Sequence, residues 1–459
     1  MRSFAIKLAA ALALGAVLVL TAAPAPAQDM GAAQATDWAP PKGPAAVATL
    51  TLDQAQALAL AQNKDIRAAK EYANKVQGRY VEERGAALPQ LTVTGGVYRD
   101  RDESQSAIMG PFAPLQREYR QGAVTLKQVL FTWGQVSAAI RAAEVGLLTA
   151  EDQLRRYRQA ALRDVTAAFH DILLAKELNA IAVESLAQRG RLLDQARRKF
   201  EVGLATDYDV LAAEVAVKND QPEVIRTANQ ISTARERLGF LLGLPGREVD
   251  AQGLLASKIG AYPDYDHTLA RALVHRPEVS DIEHQRQMAG ELVTVYQAGN
   301  KPRLDLQAQY GWTELESGTN REEGMTGMLG VFLTFPIFDG LKTQGRVAQA
   351  RSDEASLRIQ EAKLKDSIRV EVSEAVNAVQ VSAEIVRGLT GTVTQAERLL
   401  FMAEKGFEYG VKTRLEVDDA QLNLKQAKGG LAKSQRDYLV SQTNLKWVAG
   451  LLGEEEAPR

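Results

Sequence analysis

The sequence predicts a mainly α chain made of two copies of one unit: a helix, an amphipathic β-hairpin, a long helix and a return helix. Three observations carry this expectation. Residues 115–221 and 337–457 contain no proline, the main breaker of helices. Between helices, both copies switch from a spacing near 3.6 to a period of two. The second half also repeats the first at an almost constant offset, which marks a duplication.

From the start of the chain, Arg2 and Lys7 precede an apolar run over 8–23, and Ala25-Pro26-Ala27 has the form of an export cleavage site. Residues 1–27 are therefore expected to be a cleaved signal peptide and 28–48 a Pro-rich flexible lead. No later segment is apolar for the roughly 20 residues that a spanning helix needs. The first repeat is placed at 49–246, with a helix, a hairpin over 89–131, a long helix over 134–200 and a return helix over 206–243. In the long helix, Leu154, Tyr157, Ala161, Val165, Ala168 and Ile172 step by three or four and form one stripe. At about 1.5 Å per residue, a helix of this size measures roughly 100 Å, which calls for a coiled-coil-like assembly. An equatorial linker follows at 247–263. The second repeat covers 264–453, with its hairpin at 302–338, long helix at 341–407 and return helix at 412–450, and 454–459 form a tail.

The duplication is read residue by residue. Phe200, Glu201, Gly203, Thr206, Asp209, Val210 and Ala213 return 207 positions later as Phe407, Glu408, Gly410, Thr413, Glu416, Val417 and Ala420. The same offset aligns Leu238, Gly243, Leu244 and Gly246 with Leu445, Gly450, Leu451 and Gly453. Upstream the offset is 213, matching Pro89 with Pro302 and Leu91 with Leu304, so the first hairpin carries an insertion.

Strands are expected near 90–99, 119–131, 303–313 and 326–335. Leu304, Leu306, Ala308, Tyr310 and Trp312 alternate with Asp305, Gln307, Gln309, Gly311 and Thr313. Leu91, Val93 and Val97 alternate with Thr92, Thr94 and Tyr98. Such segments look like outer-membrane barrel strands, but taken alone they read rather as two amphipathic hairpins covering a soluble core, because the signal per strand is weak.

Composition removes several functions. The 459 residues carry 55 Lys and Arg against 57 Asp and Glu, a net −2, which gives no basic surface for nucleic acid. The absence of Cys excludes disulfide frameworks, Cys-ligated metals, thiol catalysis and an acyl anchor on an N-terminal Cys. His267, His275 and His284 lie near Glu278 and Glu283 without the spacing of a known metal motif, and they read as surface histidines. No catalytic constellation, cofactor or metal site is expected.

The paired hairpins, the repeated F-E-x-G-x-x-T-x-x-[DE]-V-x-x-A-[EQ] and the repeated L-x-[FW]-x-x-G-L-x-G identify the chain, over about 49–453, as resembling the TolC family of outer-membrane efflux proteins. The resemblance implies a homotrimer whose 12-stranded transmembrane β-barrel continues into a periplasmic α-helical tunnel. It implies a passive exit duct for efflux or type I secretion, set in outer-membrane lipid, partnered by a periplasmic adaptor and an RND, ABC or MFS inner-membrane pump. A periplasmic coiled-coil adaptor or scaffold is the competing reading, and a secreted enzyme centred on the histidines a third. By the resemblance, the tips Val202, Gly203, Leu204 and Tyr409, Gly410, Val411 dock the adaptor, although glycine at a helix end also serves the turn alone. Glu416 and Asp419 match acids that ring the periplasmic entrance, where like-charge repulsion would raise pKa values; a helix N-terminus favours acids in any case. Asp209 matches the aspartate of an entrance latch, but Phe407 stands where its tyrosine would be and Lys412 where an arginine would be. Pro222, and Gly429 beside Gly430 at the matching place, predict an interruption in each return helix, consistent with the family's stacked pairs of shorter helices.

Overall fold

The computed structural model describes residues 48–101, 116–255, 259–317 and 320–453. The leader, the lead as far as residue 47 and the C-terminal tail lie outside them. The described chain runs β1 (Ala48–Leu50), α1 (Leu52–Gln62), α2 (Lys64–Gly85), β2 (Gln90–Arg101), β3 (Gln116–Phe131), α3 (Gln135–Glu201) and α4 (Asp207–Leu241). It continues with β4 (Val249–Ala251), α5 (Tyr265–His275), α6 (Pro277–Gln297), β5 (Arg303–Ser317), β6 (Asn320–Thr334), α7 (Lys342–Glu408) and α8 (Arg414–Val448). The two long helices have 67 residues each and the two return helices 35 each. Duplication is thus expressed at the level of helix length.

The chain divides into two compact units. One holds 75–147 and 285–357. Its centre is an antiparallel four-stranded sheet in the order β2-β3-β5-β6. Continuous registers put Leu91, Leu126, Ala308 and Leu329 in one row and Thr92, Thr125, Gln309 and Met328 in the next. One face therefore collects Leu91, Val93, Val124, Leu126, Leu304, Leu306, Val331 and Leu333. The opposite face collects Thr92, Thr94, Thr125, Lys127, Gln307 and Gln309, with Met328 and Phe332 of β6 among them. Toward the hairpin ends the apolar face becomes ionic: Arg99 pairs with Glu118 at 2.9 Å, and Arg120 and Arg321 meet Glu314 at 3.1 and 2.6 Å. On the polar face, Tyr98 and Tyr119 stack with ring centres 4.7 Å apart. Leu91, Val93, Leu329, Val331 and Leu333 are all exposed in the single chain.

The second unit holds the described residues among 48–74, 148–284 and 358–453. One core packs Val165, Ala168, Phe169 and Ile172 of α3 against Ala55 and Ala59 of α1 and Leu238 and Leu242 at the end of α4. A second core repeats this in the other copy with Ile368 and Val372 of α7, Ala272 of α5 and Val448 of α8. The predicted stripe is buried at Ala161, Val165, Ala168 and Ile172, while Tyr157 is exposed. A short parallel pair, β1 with β4, was not expected; it joins the start of the first repeat to the linker. Asp250 of β4 anchors it, accepting hydrogen bonds from Lys176 at 2.8 Å and Arg235 at 3.0 Å.

The expected interruption of the return helices is corrected: α4 continues through Pro222, and α8 through Gly429 and Gly430. A proline inside a helix removes one N–H and crowds the preceding turn. Here side chains of α3 hold α4 on both sides of it. Ser185 donates to Asp220 at 2.8 Å, and Asn179 donates to Thr227 Oγ1 at 3.0 Å and to the Val224 carbonyl.

Candidate functional site

The turns that close α3 and α7 belong to the second unit and are built alike. After α3, the Gly203 N–H donates to the Phe200 carbonyl at 2.9 Å, and the Leu204 N–H to the Lys199 carbonyl at 2.7 Å. After α7, Gly410 donates to Phe407 at 3.2 Å and Val411 to Gly406 at 2.8 Å. This pair of bonds satisfies the last carbonyls of a helix and needs a left-handed residue, usually glycine. Gly203 and Gly410 supply it, with φ of +75° and +73°. Open space surrounds both, so dihedral angle and not crowding selects glycine there.

Each return helix then starts with a reciprocal cap. Thr206 Oγ1 accepts from the Asp209 N–H at 3.3 Å, while the Asp209 carboxylate accepts from the Thr206 N–H at 2.8 Å. Thr413 and Glu416 repeat the arrangement at 3.4 and 2.8 Å. These bonds satisfy N–H groups that a helix start leaves without partners. They also hold both acids ionised. The Thr206 N–H and hydroxyl keep Asp209 below the usual carboxylate range. The Lys412 ammonium, with the Thr413 N–H, pulls Glu416 down to about 2. The direction within one chain is therefore opposite to the repulsive rise expected for a ring of acids.

The other expected residues lie where their chemistry is open to a partner. Val202, Leu204, Tyr409 and Val411 are between 68 and 80% exposed, a large apolar surface at the end of two hairpins. Lys412 is bonded to Glu416 one turn away. Asp419 is exposed and takes no part in these bonds. Asp209 and Phe407 line one cleft with Lys199, Leu204, Arg414 and Val417. Where the family's latch would have a tyrosine hydroxyl, Phe407 offers its ring face to Lys199 Nζ, 4.8 Å from the centroid.

Sequence reasoning missed the groups that tie the two turns together. Arg414 donates to the Asp209 carbonyl at 2.8 Å and reaches Asp418 at 3.8 Å, and Asp418 also bonds Arg189 of α3. The Arg414–Asp418 spacing of four was visible as a helical pair, but nothing in the sequence pointed to Arg189. Gly406 was missed as well: a Cβ there would meet Lys412 Cγ at 2.4 Å, so the lysine stem lies across a place that only glycine leaves free. Of the histidines, His284 Nδ1 sits 2.8 Å from Asp152, which also accepts from Ser280. His170 is buried against the Thr166 carbonyl, and burial lowers its pKa.

The profile of the outer membrane efflux protein family matches residues 56–244 and 268–451, one match for each copy. Alkaline protease secretion protein AprF of Pseudomonas aeruginosa is 26% identical over 388 residues, covering 81% of this chain and 79% of its own length. Outer membrane protein TolC of Vibrio cholerae is 23% identical over 386 residues, covering 81% and 84%. Among solved structures, the CmeC outer membrane channel of Campylobacter jejuni superposes with a TM-score of 0.76 at 15% identity, covering 89% of this chain and 87% of that one.

Proposed function

The chain belongs to the outer membrane efflux protein family, and from that premise we propose that it is the exit duct of an efflux or type I secretion system. The observation that carries this is the four-stranded sheet. One face is apolar and largely exposed, the other mainly polar, and among the described residues no strand pairs with the outer edges of β2 and β6. In hydrocarbon an open edge is not tolerated, because each unsatisfied N–H or C=O costs several kcal/mol. Four strands cannot close alone. Three chains give twelve strands, enough for a lumen lined by the Thr and Gln face, with Leu and Val toward lipid. Channels of this family work as homotrimers with periplasmic adaptors and inner-membrane pumps, and they are transporters, not enzymes. Exposed Ile225, Phe240, Ile359, Val370 and Phe401 on the helices supply apolar surface for neighbouring copies.

In this reading Val202, Gly203, Leu204, Tyr409, Gly410 and Val411 meet an adaptor, and Asp209, Lys412, Glu416 and Asp419 line the periplasmic entrance. The leader at 1–27 directs export. Energy comes from a partner pump of the RND, ABC or MFS class. The test is conduction: protein purified from outer membranes and added to a planar bilayer should give long-lived, cation-dependent single-channel steps. Absence of any step from correctly assembled protein would defeat the duct.

A further inference from the structure

Resting on the trimeric barrel just proposed, we infer that neighbouring subunits join through one specific register, with Gln90 of β2 opposite Thr334 of the next copy's β6 and Arg101 opposite Glu323. The occupant of each open sheet edge is a second copy of this chain.

The argument begins from rows already fixed inside the subunit. Gln90 faces Lys127, Lys127 faces Gln307 and Gln307 faces Gly330, so one row crosses all four strands. A closed barrel does not return to the residue it started from. Twelve strands about 4.8 Å apart, tilted about 35–45° with a rise of about 3.3 Å per residue, need a total stagger of about 12–18 residues. Three-fold symmetry divides this into about 4–6 per subunit. The stagger must also be even, or every apolar side chain of β2 would meet the polar face of β6. Gly330 must therefore face Thr94 or Gly96 of the next copy. The opposite direction would set it against Ala86, in the turn after α2, leaving the lower part of β6 unpaired in lipid.

Three features select Thr94. First, the strands then coincide over the whole of β2, Gln90–Arg101 lying against 323–334. Second, every glycine of these strands faces a side chain: Gly95 meets Leu329, Gly96 meets Met328, Gly324 meets Asp100, Gly327 meets Val97 and Gly330 meets Thr94. The alternative places Gly96 against Gly330 and leaves a gap in the wall. Third, the ionic belt of the sheet continues across the seam. Within one subunit it passes from Arg99 through Glu118, Arg120 and Glu314 to Arg321, which also meets Glu323 of β6 at 3.8 Å. Arg101 of the next copy takes up the alternation opposite that carboxylate, and cross-strand opposite charges favour one pairing over others.

A chain without Cys makes the test direct. Cysteine pairs are introduced at Tyr98→Cys with Thr326→Cys and at Val97→Cys with Gly327→Cys, one pair on each face of the seam. Their competitors for the alternative register are Tyr98→Cys with Met328→Cys and Val97→Cys with Leu329→Cys. Thr92→Cys with Thr125→Cys and Leu91→Cys with Leu126→Cys, opposite within one subunit, act as controls for oxidation on either face. After oxidation in isolated outer membranes, at least one pair of the first set should give covalent trimers on non-reducing gels, and neither competitor should. Crosslinking of a competitor instead, or of no seam pair while a control oxidises and the native mass remains that of three chains, overturns the register. A native mass of one chain overturns the trimeric reading beneath it.

Discussion

Lys199 stands before the turn that closes α3, with Ala205 after it; at the matching places around the turn that closes α7 stand Gly406 and Lys412. The two turns share their glycine dihedral, their pair of closing bonds and their threonine cap. At these matching places each also carries one lysine, but on opposite sides. Before the turn, the lysine reaches across to the ring of Phe407. After it, the lysine folds back over Gly406 onto Glu416. What the duplication preserves is the backbone requirement, because a reversal between two long helices admits few solutions. What it has let diverge is the wiring of charge: only at the second turn does the lysine bond the capping acid.

The comparison can be broken at its common part first. Gly203→Val and Gly410→Val each force a β-branched residue to positive φ, at about 1–3 kcal/mol. Both should cut export tenfold or more while the trimer and its membrane insertion persist, read by substrate secretion beside native electrophoresis. Loss of the trimer would make the glycines purely architectural. Next come the caps. Thr206→Ala and Thr413→Ala should each cost about 1 kcal/mol at the helix start, seen as faster amide exchange in the first turns of α4 and α8 and equal in both.

The remaining predictions separate the two turns. Glu416→Gln with Asp419→Asn should leave single-channel currents in place but reduce block by divalent cations several-fold. Unchanged block would confine these acids to capping. Smallest in effect is acid sensitivity. Glu416 titrates lower in the folded chain, at about 2, than its ordinary 4.5. Its contribution is therefore complete above the ordinary value and is lost as pH falls from there toward 2. Lys412→Ala should move its titration up toward 4.5, followed by carboxyl NMR, whereas Lys199→Ala should leave Glu416 unmoved.

Much of this was legible in the chain. Proline-free stretches and 3.6 spacing located the long helices, and alternation located the strands, because helix and strand periods are local signals. The repeat of Gly203 and Thr206 as Gly410 and Thr413 exposed both turns. Long-range complementarity was not legible. Arg189 meets Asp418 from 229 positions away, and β1 pairs with β4 only because the fold returns the linker to the start of the first repeat. Pro222 misled for a related reason: the proline rule describes an isolated helix, and the side chains of α3 that support α4 around it lie far off in sequence. For Glu416 the sequence reading weighed repulsion between copies, whereas within one chain its carboxylate bonds Lys412, four residues before it.

The most direct test is the native mass of the protein taken from fractionated membranes into mild detergent. It should sediment with the outer membrane and give the mass of three chains, with β-structure that survives proteolysis of the exposed helices. A stable soluble monomer that needs no detergent would contradict the barrel, the seam and the duct together.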